Sequence, residues 1–147
     1  MFSKTCQYGI RASIFIACES LRDNRVSLEK VSQKILSPEA FTAKILQKLV
    51  KHHIIRSVKG PGGGFEADIA KIHIISLRDI VEALDGDFLT QCSLGLNECS
   101  DRFPCPFHYL YKPVKENLTR LLRETTLQEL AGSFDEGETF LKLYENK

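Results

Sequence analysis

Apolar positions recur along this chain first with a helical period, then briefly with a strand-like one, then with a helical period again. Over residues 4–21, Ile10, Ile14, Ala17 and Leu21 share one face, widened by Tyr8, Ala12, Phe15 and Cys18, which predicts an amphipathic helix. The polar run Arg22-Asp23-Asn24-Arg25 predicts a turn, after which Ser27 is placed to cap a second helix reaching about Ile35. Leu28, Val31 and Ile35 form its inward face. Ser37-Pro38, a capping serine followed by proline at the first helical position, opens a third helix. Phe41, Ile45, Leu46, Leu49 and Val50 are its inward set. Two short helices joined by a tight turn predict a helix-turn-helix.

The period then changes. Ile54 to Val58 is a short β-type run, followed by Lys59-Gly60-Pro61-Gly62-Gly63-Gly64 and then Phe65-Glu66-Ala67. Four glycines and a proline in five positions fit neither a helix interior nor the centre of a sheet, and predict a hairpin tip able to approach a surface closely. The run lacks the GK[ST] ending and following helix of a phosphate-binding P-loop. Ser76-Leu77-Arg78-Asp79 resembles a capping box and starts a helix through about Leu84, which Asp85-Gly86 stops. Residues 88–106 show no period. From Phe107 to about Glu124 a long helix returns, with Leu110, Val114, Leu118, Leu121 and Leu122 along one stripe and Pro113 accommodated in its first turns. An apolar seam outside the winged unit predicts a partner surface, the usual partner being the same helix of a second copy.

The fold class expected is mainly α with a small β wing: a winged helix-turn-helix plus a long C-terminal dimerisation helix. The boundaries are 1–86 for the winged unit, 87–106 for a cysteine-containing loop, 107–131 for the dimerisation helix, and 132–147 for a polar tail that is partly disordered or loosely docked. The 147 residues suffice for one domain with such an appendage, and 43% hydrophobic against 27% charged residues is the balance of a globular protein. No apolar run nears the roughly 20 residues needed to span a bilayer. The N-terminus has no signal-peptide hydrophobic region, so a cytoplasmic location is expected. The net charge of +1 conceals an asymmetry: residues 1–64 carry 11 Lys and Arg against 4 Asp and Glu, whereas residues 65–147 carry 9 against 15. A basic N-terminal half predicts a polyanionic partner, and a hairpin tip with Arg56 and Lys59 at its base fits the phosphate backbone or minor groove of double-stranded DNA. No H-E-x-x-H, no G-x-S-x-G and no paired-carboxylate motif marks an enzyme.

Cys6 and Cys18 lie in an apolar helical pattern and are read as small core residues. Cys92, Cys99 and Cys105 cluster in the aperiodic segment as Cys92-x6-Cys99-x5-Cys105-x2-His108. Thiolates are the soft ligands that iron–sulfur clusters and zinc select, and His108 supplies a potential fourth donor. Structural zinc sites usually contain a C-x2–4-C knuckle, which is missing here. An iron–sulfur cluster, zinc and no metal at all remain the three readings of the spacing alone. His52, His53 and His73 have no neighbouring cysteine and are read as solvated or wing-side.

The stretch Ile54 to Phe65 resembles, almost letter for letter, the wing of the Rrf2 (BadM-type) family of bacterial winged-helix transcription regulators. Tyr8-Gly9-Ile10-Arg11-Ala12 resembles that family's opening helix, and residues 75–86 the helix after its wing, so the resemblance covers about residues 3–130. It implies a homodimer, crossed through the long C-terminal helix, that binds a near-palindromic operator. Residues 37–48 are then the recognition helix, with Ser37, Phe41, Thr42 and Lys44 toward bases. Arg56, Ser57, Lys59, Gly60, Pro61, Gly62 and Gly63 are the wing's contacts to phosphate or minor groove. Cluster-bearing members place three cysteines in the same inter-helix loop, usually with five residues between neighbours, and a histidine three residues after the third; here the first gap is six. The resemblance therefore implies one iron–sulfur cluster per protomer, of 2Fe–2S type, on Cys92, Cys99, Cys105 and His108, which an aerobic preparation can lose. Nitric-oxide-sensing members instead borrow a carboxylate from the first helix of the partner subunit, and the corresponding position in this chain is Gln7, a poor ligand. The alternative the family offers is a cluster-free regulator controlled by a partner protein or a small metabolite.

Overall fold

The structure, a computed structural model, describes residues 1–135. Its first helix, α1 (Lys4–Leu21), begins at Ser3, whose hydroxyl accepts the Cys6 amide, and it is the element on which the others are assembled. Cys6, Ala12, Ile16 and Ala17 on it are fully buried, facing α2 (Leu28–Ile35), α3 (Glu39–Lys51) and α4 (Leu77–Asp85). Ser27 caps α2 as its position predicts, accepting the Lys30 amide at 3.2 Å. The α2–α3 turn is made by Leu36, which adopts a left-handed conformation (φ 56°).

Ser37 does not cap α3. Pro38 occupies the cap position and no side chain caps the helix, while Ser37 is buried and its hydroxyl has no hydrogen-bond partner. The physical reason is register: the helix starts at Glu39, so Ser37 stands one residue too early to reach the first-turn amides.

Strands β1 (Arg56–Val58) and β2 (Gly64–Glu66) pair antiparallel with Ser57 opposite Phe65. The hairpin is fastened to the α1–α2 turn, because Val26 and Phe65 exchange both backbone hydrogen bonds, at 3.1 and 2.8 Å. Ile54 and Ile55, read with the strand, lie just before it and are buried. A full capping box starts α4: Ser76 accepts the Asp79 amide and Asp79 accepts the Ser76 amide.

The long helix expected from Phe107 to about Glu124 is there, but the segment 107–131 assigned to it holds two helices. α5 (His108–Glu124) ends at Thr125, and the chain turns back through Thr126 into α6 (Leu127–Asp135). The break is held by a β-type bridge between Ser76 and Thr126, with the Leu77 amide on the Thr125 carbonyl at 2.8 Å. α6 lies against α1 with Leu127 and Ala131 fully buried, and Leu130 and Phe134 complete the contact. Residues 127–135 thus belong to the winged unit's core rather than to an extended dimerisation helix or a loose tail. The remainder of the expected polar tail, residues 136–147, lies outside the described residues.

Candidate functional site

Two regions bring the sequence-predicted residues together: a basic face formed by α3 and the hairpin, and the cysteine loop before α5. On α3 the buried set is Thr42, Ile45, Leu46 and Leu49. The solvent face consequently carries Glu39, Ala40, Lys44, Gln47, Lys48 and Lys51. Of the four residues read as base contacts, only Lys44 is exposed. Thr42 has no solvent exposure and its hydroxyl donates to the Pro38 carbonyl at 3.0 Å. Phe41 is half-buried, edge-on to Tyr8 with ring centroids 5.8 Å apart. Gln47, Lys48 and Lys51 share that exposed face, as the helical period of Ile45, Leu46 and Leu49 places them opposite the core. Thr42 can be buried because a threonine satisfies its own hydroxyl on the preceding turn and needs no partner elsewhere.

At the hairpin tip, Pro61 and Gly62 (φ 72°) make a tight turn closed by the Gly63 amide on the Gly60 carbonyl at 2.9 Å. Gly63 serves the hairpin itself: a Cβ there would lie 2.2 Å from the Val58 carbonyl oxygen. Lys59, Gly60, Pro61 and Gly62 are exposed at the tip, and Ser57 and Arg56 are exposed on β1. Arg56 is not free. Its Nε donates to Glu66 Oε1 at 2.8 Å, and Arg25 donates to the other oxygen at 2.9 Å and to the Gly62 carbonyl at 3.2 Å. Burial alone would raise the Glu66 carboxyl, but the two guanidinium groups hold it below the usual carboxylate range. Arg25, read from sequence as part of a polar turn, is therefore a wing residue.

In the cysteine loop, backbone hydrogen bonds make a small hairpin, with Gln91 bridged to Glu98 and the Cys99 amide on the Thr90 carbonyl at 2.9 Å. Cys92, Cys99, Cys105 and His108 all line one open cavity of about 690 Å³, with Leu96 and Phe103 at its wall. Cys99 Sγ lies 3.4 Å from His108 Nδ1. Among the described residues, no three His, Cys, Asp or Glu side chains are close enough together to hold one metal ion. The backbone amide of Leu94, followed by that of Leu96, holds the Cys92 thiol below its ordinary value. His108 is 5% exposed, and its second nitrogen, Nε2, lies 2.7 Å from Asp101 Oδ1. Lys112, one turn along α5, donates to both oxygens of Asp101 at 3.0 and 2.9 Å. That ammonium first, then the histidine, keeps the Asp101 carboxyl below its usual range. His52, His53 and His73 are exposed and apart from the cavity, and Gln7 is exposed with its amide nitrogen donating to the Phe2 carbonyl.

Beside this loop, α5 buries only His108 and Leu122. Leu110, Val114 and Leu121 are 74%, 57% and 60% exposed and lie along one side at helical spacing. No helix among the described residues is long and apolar enough to cross a membrane.

Comparison with known proteins bears on both regions. The model of the Rrf2 family, described as an iron-dependent transcriptional regulator, matches residues 2–133. A protein of Aquifex aeolicus (strain VF5), whose name describes an HTH-type transcriptional regulator, is 31% identical over 134 residues, covering 88% of this chain and 90% of its own. The HTH-type transcriptional regulator IscR of Vibrio campbellii is 28% identical over 125 residues, covering 84% of this chain and 73% of its own. Among solved structures, the cysteine regulator CymR of B. subtilis superposes with a TM-score of 0.75 at 20% identity, over 90% of this chain and 96% of that one. T. potens IscR superposes at 0.71 and 19% identity, over 95% of this chain and 92% of that one. The winged-helix architecture read from the sequence is thus the fold these structures share. The chain's relatives are transcriptional regulators, not enzymes.

Proposed function

The chain belongs to the Rrf2 family of transcriptional regulators, and from that premise we propose that it is a homodimeric operator-binding regulator whose DNA affinity is set by a 2Fe–2S cluster on Cys92, Cys99, Cys105 and His108. One observation carries the reading: three thiols and one buried imidazole, drawn from a single 17-residue stretch of chain, line the same cavity. The donor set suits the group. Three soft thiols and an imidazole are four donors, the number a 2Fe–2S cluster would take, and Cys99 and His108 already meet at 3.4 Å. When bound, such a cluster supplies one-electron redox chemistry, and an imidazole ligand raises its potential.

The residues of the chain do the rest. Lys44, Gln47, Lys48 and Lys51 present a basic face of α3 to the major groove, and Lys59 with the Gly60–Gly62 tip reaches toward phosphate or minor groove. Arg25 and Arg56, gripped by Glu66, set the hairpin's orientation and add positive charge to its base. The stripe Leu110, Val114 and Leu121 on α5 is the surface proposed to meet a second copy, which fixes the distance between two recognition helices at about one turn of DNA. His108 is at once a cavity residue and the first residue of α5, so the order of the loop is coupled directly to the helix that sets that distance. A shift there misaligns both half-sites together.

The test is anaerobic purification followed by iron and sulfide analysis and operator titration with and without the cluster. Cysteine-to-alanine variants at positions 92, 99 and 105 lose the colour and the cluster-dependent step in affinity. A colourless, iron-free protein with unchanged operator control would assign the chain instead to cluster-free regulators governed by a partner protein or metabolite.

A further inference from the structure

We propose that Asp101 is a positioning residue that fixes His108 in one tautomer, with the proton on Nε2, so that the Nδ1 lone pair is the one presented to the cysteine cavity. The inference rests on the cluster reading above only for its use; the tautomer itself stands on the geometry of the apoprotein.

An ionised carboxylate can only accept hydrogen bonds. With Asp101 Oδ1 2.7 Å from His108 Nε2, the neutral ring must carry its proton there. Nδ1 is then an acceptor, and the group facing it is the Cys99 thiol at 3.4 Å. Asp101 is itself held. Both its oxygens accept from Lys112 Nζ, and Lys112 stands four residues after His108, on the same side of α5. The carboxylate therefore bridges two residues of one helix. The imidazole side chain is 3% exposed, so no water competes freely for either nitrogen, whereas the Asp101 side chain is 64% exposed. That contrast makes Asp101 replaceable without opening the core. A carboxylate behind a ligating histidine is the general means of fixing ring orientation and raising donor strength, and its loss commonly lowers metal affinity 10–100-fold.

Asparagine at this position separates the proposal from a merely structural role. Its amide can turn an N–H toward Nε2, which favours the opposite tautomer and leaves a proton on Nδ1, as an asparagine does behind a catalytic histidine. The experiment is a long-range proton–nitrogen correlation spectrum of the full-length, metal-free protein labelled with nitrogen-15 in histidine, recorded under anaerobic conditions. His108 is expected to show a single Nε2-protonated form, distinct from the exposed His52, His53 and His73. D101N is expected to shift it to a mixed or Nδ1-protonated form, and D101E to restore it. A wild-type His108 with its proton on Nδ1, or averaging like the exposed histidines, overturns the proposal, as does a D101N spectrum identical to wild type. In protein reconstituted with iron and sulfide, D101N is expected to lose the cluster about tenfold faster or more. Equal retention in both proteins would contradict the positioning role while leaving the cluster reading intact. A protein that never takes up iron fails the cluster reading, and the tautomer is still decided by the first spectrum.

Discussion

The amide of Leu127 donates to the carbonyl of Ile75 at 2.8 Å, tying the first residue of α6 to the segment that leads out of the wing. This hydrogen bond, with the Thr126 side chain accepting the Glu129 amide at 3.1 Å, brings α6 back onto α1. Leu127 is fully buried, so Leu127→Ala is expected to cost about 2–5 kcal/mol of stability. Thr126→Ala removes a cap and should cost about 1 kcal/mol. Denaturant unfolding of the two variants measures both. Losses confined to a few tenths would mean that α6 is not part of the core.

That relationship also shows what was legible in the sequence. Thr126-x-x-Glu129 is a capping signature as plain as Ser76-x-x-Asp79. The stripe Leu110, Val114, Leu118, Leu121 and Leu122 carries no sign that the chain reverses after it, because a period reports a face and not a direction. The wing was legible because glycine and proline each impose a local geometry there. The four site residues Cys92, Cys99, Cys105 and His108 could be named from spacing and residue chemistry. The contact of Cys99 with His108, and Asp101 behind that ring, depend on which side chains the folded loop turns inward, and no spacing encodes that. Ser37 and Thr42 illustrate the same limit on α3, since both are polar in sequence and buried in the fold.

On the recognition helix, Lys44→Ala and Gln47→Ala are expected to weaken operator binding without changing thermal stability, whereas Thr42→Ala lowers stability first. Binding isotherms beside melting curves separate the two effects. An operator-specific loss in a fully stable Thr42→Ala protein would place Thr42 at the DNA after all.

At the wing, Lys59→Ala and Arg25→Ala should each weaken binding to all DNA sequences alike and reduce the slope of log affinity against log salt by about one. Arg25 is the sharper case, because its side chain is engaged by Glu66 and the Gly62 carbonyl before DNA arrives. An unchanged slope in Arg25→Ala would confine that residue to holding the hairpin.

Thiol reactivity should sort by environment. Burial first, then the Asp85 carboxylate, pushes the Cys6 thiol up to about 12, so it stays protonated and unreactive at mildly alkaline pH. Cys92, half-exposed and held below its ordinary value by the Leu94 amide, is expected to be alkylated first in the metal-free protein. Mass spectrometry of a timed alkylation gives the order. Cys6 reacting as fast as Cys92 would contradict it.

For the proposed dimer surface, Leu110→Glu combined with Leu121→Glu should yield a folded monomer, because both side chains are mostly exposed and neither supports the core. Light scattering with circular dichroism reports mass and fold together. A double variant that stays dimeric moves the interface elsewhere.

The measurement that bears most directly on the central claim is operator affinity of the anaerobically prepared protein, titrated before and after cluster removal, on a sample whose iron and sulfide have been counted. A cluster-controlled protein is expected to hold about two irons and two sulfides per protomer and to change its operator affinity when they are removed. The same removal should leave the affinity of the triple variant Cys92→Ala, Cys99→Ala, Cys105→Ala unchanged. A wild-type protein that holds no iron, or one whose affinity for the operator is the same with the cluster and without it, would contradict it.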